Sequence, residues 1–172
     1  MVVQYKGNCG NISSAVGPFA VDEGLVRADG AQATVRIHNT NTGKVIVSTF
    51  PLAGGRAAVD GDFVLPGVAG SGAPVRLSFL EPGGAVTGRL LPTGLAAESL
   101  AVEGFASVEV SIVDAANPVV MLAAQAIGLE GGEAPAELDR RRDILEHCEA
   151  IRAAAAVRIG IAPDLQAARE RV

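Results

Sequence analysis

A chain of 172 residues with a formal net charge of -5 lacks the clustered basic surface that a nucleic-acid partner requires. No uninterrupted apolar stretch approaches the roughly 20 residues that cross a bilayer, and no basic region followed by an apolar run marks a leader at the N-terminus, so neither a membrane nor secretion is expected. Hydrophobic residues make up 49% and aromatics only 3%, which predicts an aliphatic core, and 21 Gly with 9 Pro predict short strands joined by many turns.

Residues 1–6 read as a short strand that delivers the chain to Gly7-Asn8-Cys9-Gly10, a small-residue turn. The capping types Asn11 and Ser13 then precede apolar residues, so a helix is expected over residues 11–24 and Cys9 falls at or just before its start. A helix start leaves backbone N–H groups without intrahelical partners and carries about half a positive charge, so it suits a carboxylate, and it favours the thiolate form of a cysteine. A lone Cys among small residues is equally a packed, inert thiol, and Asn-Cys-Gly-Asn is equally a tight turn. Apolar groups at Ile12, Ala15, Val16, Phe19, Ala20 and Val21 occupy too many faces for a surface helix, which should be wrapped by sheet. Pro18 should kink the helix or start a second piece, and Gly24 is placed for a left-handed cap.

Residues 33–38 and 44–50 alternate apolar with polar around Asn39-Thr40-Asn41-Thr42-Gly43, which predicts an antiparallel hairpin with His38 on its polar face. A strand is expected over residues 56–65, with Asp60 and Asp62 in a turn or bulge and not in a metal loop, since no third ligand follows at calcium-site spacing. Residues 67–74 form a glycine-rich connection without the Lys-Ser/Thr ending of a phosphate loop. Strands are expected at residues 75–79, 89–93, 108–112 and 119–122, with a crossover over 94–106 and the turn Asp114-Ala115-Ala116-Asn117-Pro118.

The longest helical pattern runs over residues 135–158, where Ile144, Cys148, Ile151 and Ala155 form an apolar stripe. Cys148 is thus expected to be buried, His147 to be ordinary surface, and the run Arg140-Arg141-Arg142 to be a solvated helix face. The tail over 164–172 also has helical propensity. With only two Cys and two His a zinc site is unexpected, and unpaired cysteines suit a reducing, cytoplasmic compartment.

The string GNCGNISSAVGPFAVDEGLV resembles the signature of the PrpF family of isomerases and tautomerases within the diaminopimelate-epimerase-like superfamily. The resemblance continues through GDFVLPGVAGSGAPVRLSFLEPGGAVTGRLLPTG, VSIVDAANPVVML and HCEAIRAAAAVRIGI, in that order. It implies an α+β fold, a mixed and mostly antiparallel sheet wrapped around a central buried helix. Two pseudo-symmetric epimerase-like domains would be represented in part, by residues 1–94 and 95–172. The implied activity is cofactor-independent proton transfer in small unsaturated di- and tricarboxylic acids such as 2-methylaconitate, 4-oxalomesaconate or 3-methylitaconate.

Moving a double bond beside carboxylates requires removal of an allylic proton and return of one elsewhere, while negative charge spreads toward the acid groups. On that reading Cys9 is the acid/base group, Asn8, Gly10, Asn11, Ser13 and Ser14 bind carboxylate, and Asn117 helps to hold the substrate as an Asn-Pro turn residue does in the superfamily. The resemblance also implies a central segment of a longer enzyme. A family lysine from an earlier region is not matched by Lys6 or Lys44, so an inactive chain that keeps the carboxylate site is the alternative. A thiol-redox or anion-binding module is the third reading. A small polycarboxylate is the expected partner, and uncovered apolar faces predict a homo-oligomer.

Overall fold

The structure is a computed structural model and describes residues 7–171. The strand expected over residues 1–6 lies outside the described residues. The chain divides into two compact units, one ending at Pro82 and the other beginning at Gly83.

The first unit is one helix on one sheet. Helix α1, Gly10–Asp22, is followed by strands β1, Gln32–Asn39, and β2, Lys44–Ala53, then by a two-residue strand β3, Arg56–Ala57, and by β4, Arg76–Phe79. β1 and β2 form the expected hairpin, with Ala33 opposite Phe50, Val35 opposite Ser48 and Ile37 opposite Ile46. Alternation turns these six residues to one face and Thr34, Arg36 and His38 to the other, where they are exposed. β2 is the central strand, because β3 and β4 both pair antiparallel to its other edge.

Helix α1 lies on the inward face. Its buried residues, Ser13, Gly17 and Val21, recur every four positions, and Val21 joins Ala33, Val35 and Phe50 in the core. Gly17 is what lets the helix come so near, since a Cβ there would stand 2.6 Å from Ser48 Oγ and 2.9 Å from Phe50 Cε1. The sheet covers this face only. Ile12, Val16 and Phe19, which the sequence pattern alone would also bury, are exposed at 70%, 38% and 59%. Pro18 neither splits the helix nor starts a second one: α1 continues unbroken to Asp22, and Gly24 adopts the left-handed conformation expected of it.

The strand expected over residues 56–65 is realised only at Arg56 and Ala57. Beyond them the chain leaves the sheet and folds on itself: Phe63 and Gly72 exchange both backbone hydrogen bonds at 3.1 Å, and the Ala73 amide donates to Val59 O at 2.9 Å. Gly61 sits so close to this junction that a Cβ would lie 2.6 Å from Gly72 O. The result is a closed loop over 63–72 in place of a strand.

The second unit pairs strands β5, Glu98–Leu100, β6, Val108–Ala115, and β7, Asn117–Met121, antiparallel in that order. β5 falls inside the stretch read as a crossover. Residues 89–93 form turns and not the expected strand, and their link to β6 is the Asp114 amide donating to Leu90 O at 2.9 Å. The single helix expected over 135–158 is two, α2, Pro135–Leu138, and α3, Arg142–Arg158, and α4, Leu165–Arg171, follows.

Val108, Val110 and Ile112 pack with Leu100 against Ala150, Ile151 and Ala155 of α3, while Ala153 and Ala156 meet Ala162 and Ala168 on another side. The C-terminal half of α3 is therefore covered on two sides, whereas in its first half only Ile144 is buried. This overturns the expected burial of Cys148, which is exposed. His147 is also not ordinary surface: its ring stacks on Phe105 with centroids 4.1 Å apart. No helix among the described residues is long and apolar enough to cross a membrane.

Candidate active site

The start of α1 is an anion-seeking end with nothing of its own to neutralise it. Cys9 is the N-cap residue, in extended conformation with φ -99° and ψ 106°, and its side chain makes no capping hydrogen bond. Ser, Thr, Asp or Asn in that place would stabilise the helix by about 1 kcal/mol, so a cysteine there gives up local stability. The first turn contains no acidic residue. The first amide to reach an intrahelical acceptor is that of Ser13, which donates to Cys9 O at 3.0 Å, so the N–H groups of Gly10, Asn11 and Ile12 precede the ladder. The thiol of Cys9 is exposed at this end.

The two serines are used differently from the way their sequence positions suggest. Ser13 is buried, and its hydroxyl donates to Cys9 O at 2.7 Å. The Ser14 hydroxyl donates to Asn11 O at 2.7 Å. Both hydroxyl protons are thus directed into the helix, which leaves the backbone amides as the donors able to meet a carboxylate. Of the residues expected to bind substrate, Gly10, Asn11 and Ser14 line one side of a cleft of about 500 Å3, a size suited to a small ligand. Cys9 immediately precedes them. The rest of the lining comes from the closed loop over 63–72, with Phe63, Leu65, Val68 and Ser71, and from Ala73 and Val75 beyond it.

Asn8 faces the hairpin: its side-chain oxygen accepts a hydrogen bond from Asn39 Nδ2. Asn41 Nδ2 donates to Gly7 O at 3.5 Å, and its amide is held by Asn39 Oδ1 at 2.9 Å. Asn39 and Asn41, which sequence alone reads as turn chemistry, therefore hold the segment that leads into Cys9. Nothing in the local sequence marks this, because the partners are 31 and 34 residues apart. The loop over 63–72 joins the end of the strand expected over 56–65 to the glycine-rich connection over 67–74, and neither reading alone marks it as part of a cleft. His38 is exposed at the end of β1.

Asn117 belongs to the second unit, where it opens β7 and is exposed. It follows Ala116, whose φ of 65° makes the tight reversal between β6 and β7. Beside it, Asp114 is completely buried, and its Oδ2 accepts from the amides of Val86 and Thr87 at 2.9 and 2.7 Å and from the Thr87 hydroxyl at 2.8 Å. Sequence reading gave Asp114 no role beyond the turn.

Comparison with known proteins agrees with this architecture. The chain is 42% identical over 170 residues to the 3-methylitaconate isomerase of Eubacterium barkeri, covering 99% of this chain and 44% of that protein. It is 42% identical over 150 residues to the 4-oxalomesaconate tautomerase of Pseudomonas putida, covering 87% of this chain and 40% of that one. A crystal structure of methylitaconate-delta-isomerase superposes with a TM-score of 0.86 at 42% identity, over 99% of this chain and 44% of that chain. The chain thus spans less than half the length of these relatives. The family described as PrpF protein matches residues 1–172, and the chain belongs to that family.

Proposed function

We propose that this chain carries the acid-binding and proton-transfer cleft of a cofactor-independent isomerase of small unsaturated di- and tricarboxylic acids, of the kind typified by 2-methylaconitate. The observation that carries the reading is the uncapped, acid-free start of α1, with an exposed thiol at its tip and a cleft beside it. A carboxylate set against the amides of Gly10, Asn11 and Ile12 would meet both N–H donors that precede the helix ladder and the positive end of the helix dipole. Cys9 would then lie next to the carbon whose proton is exchanged. Charge that develops toward the carboxylate during proton removal would be stabilised by the same donors, which need no reorganisation as it forms. Asn117 is assigned as a further substrate contact, and residues 1–94 and 95–172 as parts of two epimerase-like domains, on family resemblance. Two unpaired cysteines support a reducing, cytoplasmic setting, and exposed Ile12, Val16 and Phe19 support self-association.

A second reading, an acid-binding chain without turnover, is favoured by one observation: the residues that line the cleft all belong to the first unit. Incubation with 2-methylaconitate in D2O, followed by NMR, separates the two. Deuterium uptake into the acid that disappears in Cys9→Ala supports isomerase chemistry. Chemical-shift changes confined to residues 9–14 with no uptake support binding alone, and the absence of both removes the acid-binding reading altogether.

A further inference from the structure

Cys9 is held from both sides, and the two holds differ in kind. On the helix side the hold is local: the amide and the hydroxyl of Ser13 both donate to Cys9 O, at 3.0 and 2.7 Å. Those bonds fix the carbonyl of Cys9, while its thiol makes no capping hydrogen bond. On the other side the hold comes from the hairpin turn, where Asn39 Nδ2 donates to the side-chain oxygen of Asn8 and Asn41 Nδ2 donates to Gly7 O at 3.5 Å.

The turn needs neither of these bonds for itself. It is closed by the Gly43 amide on Asn39 O at 2.8 Å and by the Asn41 amide on Asn39 Oδ1 at 2.9 Å. A Ser or Asp at position 39 could supply that side-chain oxygen as well. What the amide of Asn39 adds is a donor that reaches Asn8 while its oxygen stays in the turn. Asn41 follows the same division, with its backbone in the turn and its side chain directed out of it. The other attachment of this segment is on the same pair of strands, since Gly17 brings α1 within contact of Ser48 on β2, four residues along the hairpin from the pairing of Asn39 with Lys44. Cys9 thus lies between two points anchored on one hairpin.

We infer that Asn39, supported by Asn41, is a positioning residue for the Cys9 thiol, and that it acts through Asn8 and Gly7 to keep the sulfur in register with the amides that begin α1. Neither asparagine lines the cleft. The inference rests on the acid-binding reading above and adds to it what sets the distance between the thiol and the bound carboxylate. Without the tether the thiol would keep its exposure and its helix, but not its place beside the acid.

The test is alkylation of the 172-residue chain by iodoacetate and by iodoacetamide, with the rate at each cysteine read by peptide mass spectrometry. Both reagents are attacked by the thiolate at carbon and release iodide, but only iodoacetate carries a carboxylate. The ratio of the two rates at Cys9 therefore reports how the thiol stands beside anion-binding groups, and its thiolate fraction cancels. The baseline is the same ratio at Cys9 in the urea-unfolded chain. Folded wild type should lie about 2- to 5-fold above it, as expected for an anion drawn to a helix start. Asn39→Ser keeps an oxygen for the Asn41 amide but is too short to reach Asn8, and it should return the ratio close to baseline. Asn41→Ala keeps the backbone bond of the turn and should lower the ratio part of the way. Asn41 is exposed, so this second variant decides the matter if Asn39→Ser does not fold. Circular dichroism and the ratio at Cys148, which is also exposed, should not change in either variant. A purely structural role for the tether would lower the unfolding midpoint and leave the Cys9 ratio where it was. If wild type is elevated and every folded variant stays elevated, the positioning role is wrong and the acid-binding start of α1 stands. If folded wild type itself lies at baseline, the acid-binding reading fails and the positioning role with it.

Discussion

The side-chain amide of Asn39, at the end of β1, donates to the side-chain oxygen of Asn8, one residue before Cys9. The hairpin turn thus fixes the approach to the helix start, and the same Asn39 organises its own turn by accepting the Asn41 amide at 2.9 Å. Asn8→Ala removes only the first contact. It should raise the hydrogen-exchange rates of the Cys9 and Gly10 amides several-fold and lower stability by about 1 kcal/mol or less. Asn39→Ala removes both and should also loosen the amides over 39–43. Equal patterns in the two variants would show that the cross-link does not act on the cysteine.

Gly17 and Ser48 set the distance between helix and sheet. A Cβ on Gly17 would lie 2.6 Å from Ser48 Oγ and 2.8 Å from its Cβ, and both Ser48 and Phe50 are buried beneath it. Alanine would gain about 1 kcal/mol in helix propensity. Overpacking against a buried strand costs about 1–3 kcal/mol, so Gly17→Ala should be destabilising on balance in urea unfolding. Ser48 Oγ has no hydrogen-bond partner, so Ser48→Ala should be neutral or slightly stabilising.

What the sequence displayed, and what it hid, divides along the range of the interactions involved. The hairpin was legible because alternation and a five-residue turn are local, and the start of α1 was legible from its small residues, although Asn11 and Ser13 sit inside the helix and Cys9 takes the N-cap. Cys148 was misplaced because a 3.6-residue period marks an apolar stripe but not where neighbouring elements stop covering it; α3 is packed on two sides only in its C-terminal half. Residues 56–65 read as a strand and 67–74 as a connection, and only the pairing between Phe63 and Gly72 joins them into a closed loop at the cleft. Of the candidate site, Cys9, Gly10, Asn11 and Ser14 were in view from the start, whereas the roles of Asn39 and Asp114 depend on partners about 30 residues away.

Glu98 joins β5 to the last turn of α3 through Arg158 Nε at 2.8 Å. The Thr93 hydroxyl, and then the Arg158 guanidinium, hold its carboxyl below the usual carboxylate range. A carboxylate whose folded pKa is depressed contributes stability above its unfolded value, near 4.5, and loses that contribution as pH falls through the folded value. Glu98→Gln should therefore be less stable than wild type at pH 7, with the gap closing toward pH 3. Arg158 is half exposed and screened by solvent, so the gap should be about 1 kcal/mol or less and should shrink in salt. A constant difference from pH 7 to pH 3 would rule out this pair as an acid-sensitive contact.

Asp114 should matter more than any surface ion pair in the second unit. Its side chain has no exposure, and one oxygen gathers three donors from Val86 and Thr87, while its own amide and carbonyl bond Leu90 O at 2.9 Å and the Gly84 amide at 2.8 Å. Backbone and side chain together clamp residues 84–90 onto β6, directly before the reversal that presents Asn117. Asp114→Ala would leave the Val86 and Thr87 amides without this acceptor, each lost partner costing about 1–3 kcal/mol unless water enters, while the Thr87 hydroxyl keeps Arg89 O at 3.1 Å. Asp114→Asn can keep an acceptor for the same donors, but its NH2 would then occupy the place of Oδ1, which has no partner, so an intermediate loss is expected. Hydrogen exchange at Val86 and Thr87 gives the decisive comparison. Their protection should fall in the order wild type, Asp114→Asn, Asp114→Ala, and if all three protect these amides equally, the loop is held by its backbone bonds alone.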